Sequence, residues 1–423
     1  MQLAIALLML SVSPLQSAEV RSVPIGLGWS NNSVNATVFR EASVTSFGDT
    51  QYVAYYDPTG HMVIAKRKLG DMTWERNRTD HIGNVRDAHN GISLGVDGTG
   101  LLHVSWDHHG HPLRYATAVE PGSIMLGPKK AMTGKVEGRV TYPQFFPLPD
   151  GRLLFFYRDG SSGNGNLVLN RYDPATHKWT QLHDNLIDGE GQRNAYWQAC
   201  VGDDGRVHIS WVWRETGDVA TNHDLCYAVS DDFGETWHRS DGTPYTARIN
   251  QAIAEVVSRI PQKSELINQT SMTAHDGQVL ITSYWRPPGA SAPQMMLVSW
   301  KSGVWSTEQI TDRKLDFSLR GGGTRGIPLS RPQVLVSKDG PMVIYRDDEN
   351  SGRLVLARKS DGKWTISELT KEPLGRWEPT YDRALWRSQG KLHVFLQRVE
   401  QIEGEGLADV PPTLVSILEV TID

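Results

Sequence analysis

Four residues in one stretch of the chain have the types needed for acid–base chemistry next to an anion: His89, His109, Tyr142 and Arg158. They sit in segments that read D-A-H-N, W-D-H-H-G-H-P-L-R-Y, T-Y-P-Q-F-F and F-F-Y-R-D-G, between Asp87 and Asp159. Two tight turns punctuate that stretch, V-D-G-T-G at 96–100 and P-D-G-R at 149–152. His89 and His109 are equidistant from Thr99, and Tyr142 and Arg158 are equidistant from Asp150. Folding each flank back on its turn opposes these residues across antiparallel hairpins, where facing side chains lie about 4.5–5.5 Å apart.

Imidazole, phenol and guanidinium together suit β-elimination from a uronic acid. The proton α to a carboxylate is weakly acidic until that carboxylate is neutralised, a task for Arg158. A neutral imidazole, with an ordinary pKa of about 6.5, would take the C5 proton. Tyr142 would protonate the leaving glycosidic oxygen or share the role of base. Pro143 follows Tyr142 and predicts an extended backbone there. The chemistry requires no metal or other cofactor.

The elements that must hold these residues show as an internal repeat: a turn with Asp or Gly, an apolar strand, then an aromatic and a charged residue. It runs F-G-D-T-Q-Y-V-A-Y-Y-D from Phe47, V-D-G-T-G-L-L-H-V-S-W-D from Val96 and L-P-D-G-R-L-L-F-F-Y-R-D from Leu148. It returns from Gly202, Ala274, Ser337 and Ser388, at intervals of roughly 50–70 residues that hold four short strands with their turns. A strand, a polar turn and a Trp follow most units, at Trp74, Trp179, Trp237, Trp305 and Trp364, and read as packing between neighbours. The pattern predicts an all-β fold, a seven-bladed β-propeller, as a single domain over residues 19–423. A strand near Val20–Ile25 and one at Thr413–Thr421 are expected to complete one blade together. The segment A-R-I-N-Q-A-I-A-E-V-V-S-R-I places Ile249, Ile253, Val256, Val257 and Ile260 at helical spacing and predicts a surface helix.

In a propeller blade the innermost strand starts on the face where the second strand ends. Around that mouth the pattern gathers His89, Tyr142, Tyr196, Asn268 and Arg331 from inner-strand starts. His109, Arg158, Arg214, Arg286 and Arg346 come from second-strand ends. Tyr196, Arg214, Asn268, Arg286, Arg331 and Arg346 are thus expected to bind substrate. Forked guanidiniums suit carboxylate or sulfate, so an acidic sugar polymer is the expected partner. His108 and His111 flank His109 and leave open which imidazole is the base. Apart from this site, Cys200 and His208 pair about Asp204, with Cys226 on the next strand. With His223 as a fourth ligand, they form a candidate structural zinc site.

D-A-H-N-G-I-S-L-G-V-D followed by L-H-V-S-W-D-H-H-G-H-P-L-R-Y resembles BNR-repeat proteins that include seven-bladed propeller polysaccharide lyases. Those lyases act on ulvan or on rhamnose–glucuronate side chains. The resemblance implies that His89 and His109 are the paired histidines, Tyr142 the catalytic tyrosine and Arg158 the carboxylate neutraliser. The same broad family holds a rhamnosidase, so the fold alone does not set the chemistry.

Composition narrows the remaining classes. The net charge is −5 and no basic tail is present, which argues against nucleic acid as a partner. Residues 2–13 form an apolar run that is too short to span a bilayer, and residues 1–18 read as a signal peptide. The expected location is secreted or periplasmic, with no membrane partner. Two cysteines are too few for a disulfide framework. The rival functions are a hydrolase on the same fold, which needs paired carboxylates at the mouth, and a non-catalytic carbohydrate-binding propeller.

Overall fold

Aspartate shapes the repeated turns. In the second blade Asp97 Oδ1 accepts the backbone N–H of Thr99 at 2.8 Å and of Leu101 at 3.1 Å, and Gly100 completes the turn at φ 84°. The strand on each side then runs apolar and buried, as in Leu102–Trp106. The computed structural model describes residues 19–37 and 42–422. The leader expected at 1–18 lies outside the described residues.

The strands form seven antiparallel sheets, one per blade. Blade 1 holds Val44–Phe47, Thr50–Tyr56, His61–Lys68 and Glu75–Ile82, and blade 2 holds Ile92–Val96, Leu102–Trp106 and Tyr115–Thr117. Blade 3 holds Val140–Pro147, Leu153–Ser161, Asn164–Asp173 and Lys178–Ile187. Blade 4 holds Asn194–Val201, Val207–Arg214, Asn222–Ser230 and Glu255–Ser258. Blades 5 and 6 begin at Ser271–His275 and Gln333–Ser337. Blade 7 joins both ends of the described chain: Glu19–Gly28 pairs with Thr413–Thr421, Val23 opposite Ile417. This closure, foreseen from the sequence, leaves no open edge between first and last blades.

The core is distributed between blades. Trp197, Trp211 and Trp213 of blade 4 pack with Phe156 and Leu169 of blade 3 in one buried cluster. Each such buried side chain contributes about 1.5–3 kcal/mol. At the turn end of the axis, the helix Arg383–Gln389 is capped by Asp382, which accepts the Leu385 N–H. Arg383 reaches Gln333 of blade 6 at 3.0 Å and Arg387 donates to the Gly202 carbonyl at blade 4, so this helix ties the seventh blade to its neighbour and to the fourth blade.

The predicted surface helix at 247–260 is not formed. Its C-terminal part is the strand Glu255–Ser258, with Val256 opposite Cys226. Ile249 is buried against Ile187 through an isolated parallel bridge. The β-branched residues suit an extended chain, and blade 4 gains its outermost strand from them.

Candidate active site

A departure from simple blade order builds the site. After blade 2's second strand, the short strand His109–His111 leaves its own sheet and pairs with the inner strand of blade 3, placing Thr141 opposite His109. Asp107 permits this exit at φ 64°. On the other side of the hairpin, Asp87 Oδ1 accepts the His89 backbone N–H at 2.9 Å and fixes that loop. The two imidazoles then stack with centroids 4.0 Å apart. One carboxylate bridges them: Asp87 Oδ1 lies 2.8 Å from His89 Nδ1, and Asp87 Oδ2 lies 2.7 Å from His109 Nδ1. With Nδ1 of His109 held by a carboxylate, its Nε2 is the nitrogen left to accept a proton.

Tyr142 and Arg158 meet by a different route from the one their spacing implies. The inner strand of blade 3 bulges between Thr141 and Gln144, so Arg158 opposes Thr141. Tyr142 adopts φ 57° in place of the extended backbone expected before Pro143. An aromatic residue in this region is strained, and the bulge re-aims its ring. The ring lies 6.1 Å from His89 and 4.8 Å below the Arg158 guanidinium. Arg158 is buried, with Nε and Nη1 lacking a hydrogen-bond partner among the described residues. Gly165 makes room for it, since a Cβ there would come within 2.8 Å of Arg158 Cδ. Tyr196 and Arg214 complete the wall: Arg214 Nη1 donates to the Tyr196 hydroxyl at 3.2 Å, and Ser162 lies 2.5 Å from the same oxygen.

The electrostatics divide the two histidines. Burial disfavours charge on His89, but Asp87 and Glu405 outweigh it and push the pKa up to about 9. Burial lowers His109, and the neighbouring His89 cation adds to this against the pull of Asp87. At neutral pH His89 is an imidazolium and His109 a free base. Burial opposes the Asp87 carboxylate, but hydrogen bonds from His109 and His89 hold it well below the usual range. Burial and the adjacent Tyr196 push the Tyr142 phenol up, so it keeps its proton. Tyr196 is also buried, but Arg214 and Arg158 overcome that and bring it down to about 8.

The other expected substrate contacts are committed elsewhere. Arg331 gives Nη1 to both Glu378 oxygens at 2.9 Å and Nε to the Asn268 carbonyl, so this pair braces the interior. Arg346 is fully buried and donates to the Trp377 carbonyl and to Asp348. Arg286 pairs with Asp316 and the Phe317 carbonyl. The inner-strand start Arg331 and the second-strand ends Arg286 and Arg346 share the mouth's blade positions, but each guanidinium finds an acceptor within the chain that the repeat does not reveal. His108 is buried and its Nε2 accepts the Arg114 N–H, while His111 Nδ1 accepts the His109 N–H. Their contacts are local, whereas His109 shares the Asp87 carboxylate with His89.

The zinc set does not assemble. Cys200 faces His208 directly, and His208 bonds the Tyr227 hydroxyl at 2.7 Å. On the third strand, however, His208 opposes Val229, while Cys226 opposes Trp211. Alternation therefore puts Cys226 on the other side of the sheet, in the cluster with Ala199 and Trp211, whereas Cys200 packs with Met272 and Tyr227. His223 is held by Glu215 and Asp224. Among the described residues, Asp87, His89 and His109 are the one group of three or more His, Cys, Asp or Glu residues whose ligand atoms all lie within 4.8 Å of one another. In that group each Asp87 oxygen lies within hydrogen-bonding distance of one Nδ1 atom.

Two acids were missed from the sequence. Asp87 stands two residues before His89, a spacing that suits a side chain turning back on the following backbone. Glu405 had no sequence signal, because it arrives from a loop over three hundred residues away. Its carboxylate lies 3.2 Å from His89 Nδ1 and accepts the backbone N–H groups of Ala88 and Thr324.

Residues 50–313 match the family model described as BNR repeat-containing family member. A long-isoform ulvan lyase of Glaciecola sp. (strain KUL10) is 30% identical over 234 residues, 42% of this chain and 23% of that relative. A short-isoform ulvan lyase of Alteromonas sp. (strain LOR) is 29% identical over 130 residues, 27% of this chain and 25% of the relative. The matched span is thus about a quarter of each of these relatives. The polysaccharide lyase Uly1 superposes with a TM-score of 0.65 at 18% identity, covering 90% of this chain and 89% of its own. A PL25 ulvan lyase bound to -[GlcA(1-4)Rha3S]- gives a TM-score of 0.67 at 13% identity, covering 94% and 95%. These likenesses bear out the propeller fold.

Proposed function

The chain belongs to the BNR repeat-containing family, and from that premise and the geometry of its site we propose that it is a polysaccharide lyase that cleaves at a uronate by β-elimination. The observation that carries the reading is Arg158: a buried guanidinium with unpartnered N–H groups beside a neutral, carboxylate-held imidazole. The uronate carboxylate would lie against Arg158 and the His89 imidazolium, which stabilise negative charge as it develops at C5. His109 Nε2 takes the C5 proton. The C5–H electron pair forms the C4–C5 double bond, the C4–O bond breaks, and Tyr142 gives its proton to the departing oxygen. Tyr196 and Arg214 would border the same sugar. The steps are proton transfers and charge neutralisation, so no cofactor is assigned. No helix among the described residues is long and apolar enough to cross a membrane, and a polymer substrate of this kind fits a secreted or periplasmic protein.

Similarity to ulvan lyases supports ulvan as the substrate, and the sequence resemblance adds a rhamnose–glucuronate side chain as the alternative. Elimination leaves a double bond conjugated with the carboxylate, and hydrolysis leaves none. Incubation with ulvan, and separately with a glucuronate–rhamnose plant gum, is expected to raise near-ultraviolet absorbance as chains shorten. Arg158→Ala is expected to remove nearly all of that rise, and Tyr142→Phe to do the same with binding largely kept. New reducing ends without absorbance would make the protein a hydrolase. Neither signal on any uronate polymer would leave a binding propeller.

A further inference from the structure

Residues 118–139 connect blade 2 to the strand that carries Tyr142, and they roof a separate cleft at the outer strands of blades 2 and 3. The cleft encloses about 450 Å³ and is lined by Tyr115, Lys130, Lys135, His177, Lys178 and Trp179, among others. None of its described lining residues is acidic, in a protein whose net charge is −5. The nearby acids are turned to their own loops. Glu137 Oε1 accepts the backbone N–H groups of Thr133 and Gly134, and Asp173 accepts that of Ala175.

The aromatic wall is rigid. Trp179 donates Nε1–H to the Tyr115 hydroxyl at 3.1 Å, and that hydroxyl also lies 2.7 Å from His103 Nδ1. Trp179 crosses Tyr115 nearly at right angles and packs 5.2 Å from Tyr172, while its own ring remains partly exposed. Lys130 is anchored on the Thr117 hydroxyl at 2.9 Å with its ammonium 5.6 Å from the Tyr115 ring. A fixed aromatic face for the apolar side of a sugar, ringed by ammonium groups for its carboxylate or sulfate, is the combination that a concave site for an anionic sugar needs.

We propose that this cleft is a second, non-catalytic site that holds an anionic sugar residue of the polymer. The choice of ligand rests on the uronate reading above; the cleft and its charge do not. Single exposed lysine–carboxylate contacts are weak. A polymer held at two places on one protein nevertheless gains effective concentration at the second, so a weak outer site strengthens retention at the catalytic mouth.

The test separates binding from cleavage by using the full chain carrying Arg158→Ala. Its mobility is measured in native gels cast with ulvan, with the glucuronate–rhamnose gum, with a neutral galactan or with polyglutamate. Adding Lys135→Glu and Lys178→Glu, both exposed, is expected to weaken retention by the uronate polymers at least fivefold and leave the thermal midpoint unchanged. Migration in galactan is expected to stay the same. Equal retention with and without the lysines would overturn the proposal, as would failure of both uronate polymers to retain the Arg158→Ala chain. Lysine-dependent retention of equal size in polyglutamate would reduce the cleft to a generic cationic patch. Lysine-dependent retention by the uronate polymers, with neither of them cleaved by the parent chain, would leave the cleft standing and sink the lyase reading instead.

Discussion

Asp87 spends one carboxylate on two imidazoles, and this sets the protonation of the site. His89 takes a second acid, Glu405, and stays charged, while His109 must share Asp87 beside that charge and stays neutral. Activity on a uronate polymer should therefore rise with pH through the lowered pKa of His109, below the ordinary imidazole range, and fall as His89 loses its proton near about 9. Glu405→Gln removes one of the two anions holding that proton, so the alkaline limb should move to lower pH; a pH–rate profile that keeps its position would refute the role. Asp87→Asn should cost more, on the order of 10²-fold or greater in kcat, because it loses both the tautomer of His109 and the charge on His89. Folding carries the same signature. His89 gains its acid partners only in the native state, so its stabilisation is complete below about 6.5 and is lost as the pH rises through about 9. Thermal melts across that window would check it.

Strands deliver these residues, and their irregularities matter more than their regular ladders. The exit strand His109–His111 and the bulge at Tyr142 bring side chains from two blades to one point. The apolar run at 249–260 is an edge strand and seam filler, which makes a prediction that a surface helix would not. Ile249→Ala should destabilise the protein by about 2–5 kcal/mol, the cost of a cavity in a packed core. An exposed helical position would tolerate alanine with little change, so chemical denaturation of this variant separates the two structures.

For the molecule as a whole, the strand Glu19–Gly28 closes the ring. Val23 and Ile25 are buried against the last strand, and together they contribute roughly 3–6 kcal/mol. A chain starting after Gly28 would lose this and expose the edge of Thr413–Thr421. It is expected to melt well below the parent and to aggregate on heating, as calorimetry and light scattering would show. A truncated chain that melted like its parent would mean the ring is closed by something else.

Much of this protein is written locally. Asp–Gly turns, period-two strands and tryptophans at matching places determine seven blades, and hairpin symmetry alone opposes His89 to His109, because their connecting turn is regular. The same arithmetic failed by one residue for Tyr142 and Arg158, since a bulge shifts every later pairing, yet it still brought the pair together. It failed altogether for Cys226, where the register of the third strand decides the face. What only the tertiary structure decided was which charges are spoken for. Arg158 and Arg346 end equivalent strands, but one is left with unpartnered N–H groups while the other is consumed by carbonyls and Asp348. Glu405 reaches His89 from the far end of the chain because closure of the ring brings the two together. A repeat encodes where a side chain sits in its blade; the partner that it meets comes from a neighbouring blade or loop, and no local pattern specifies that.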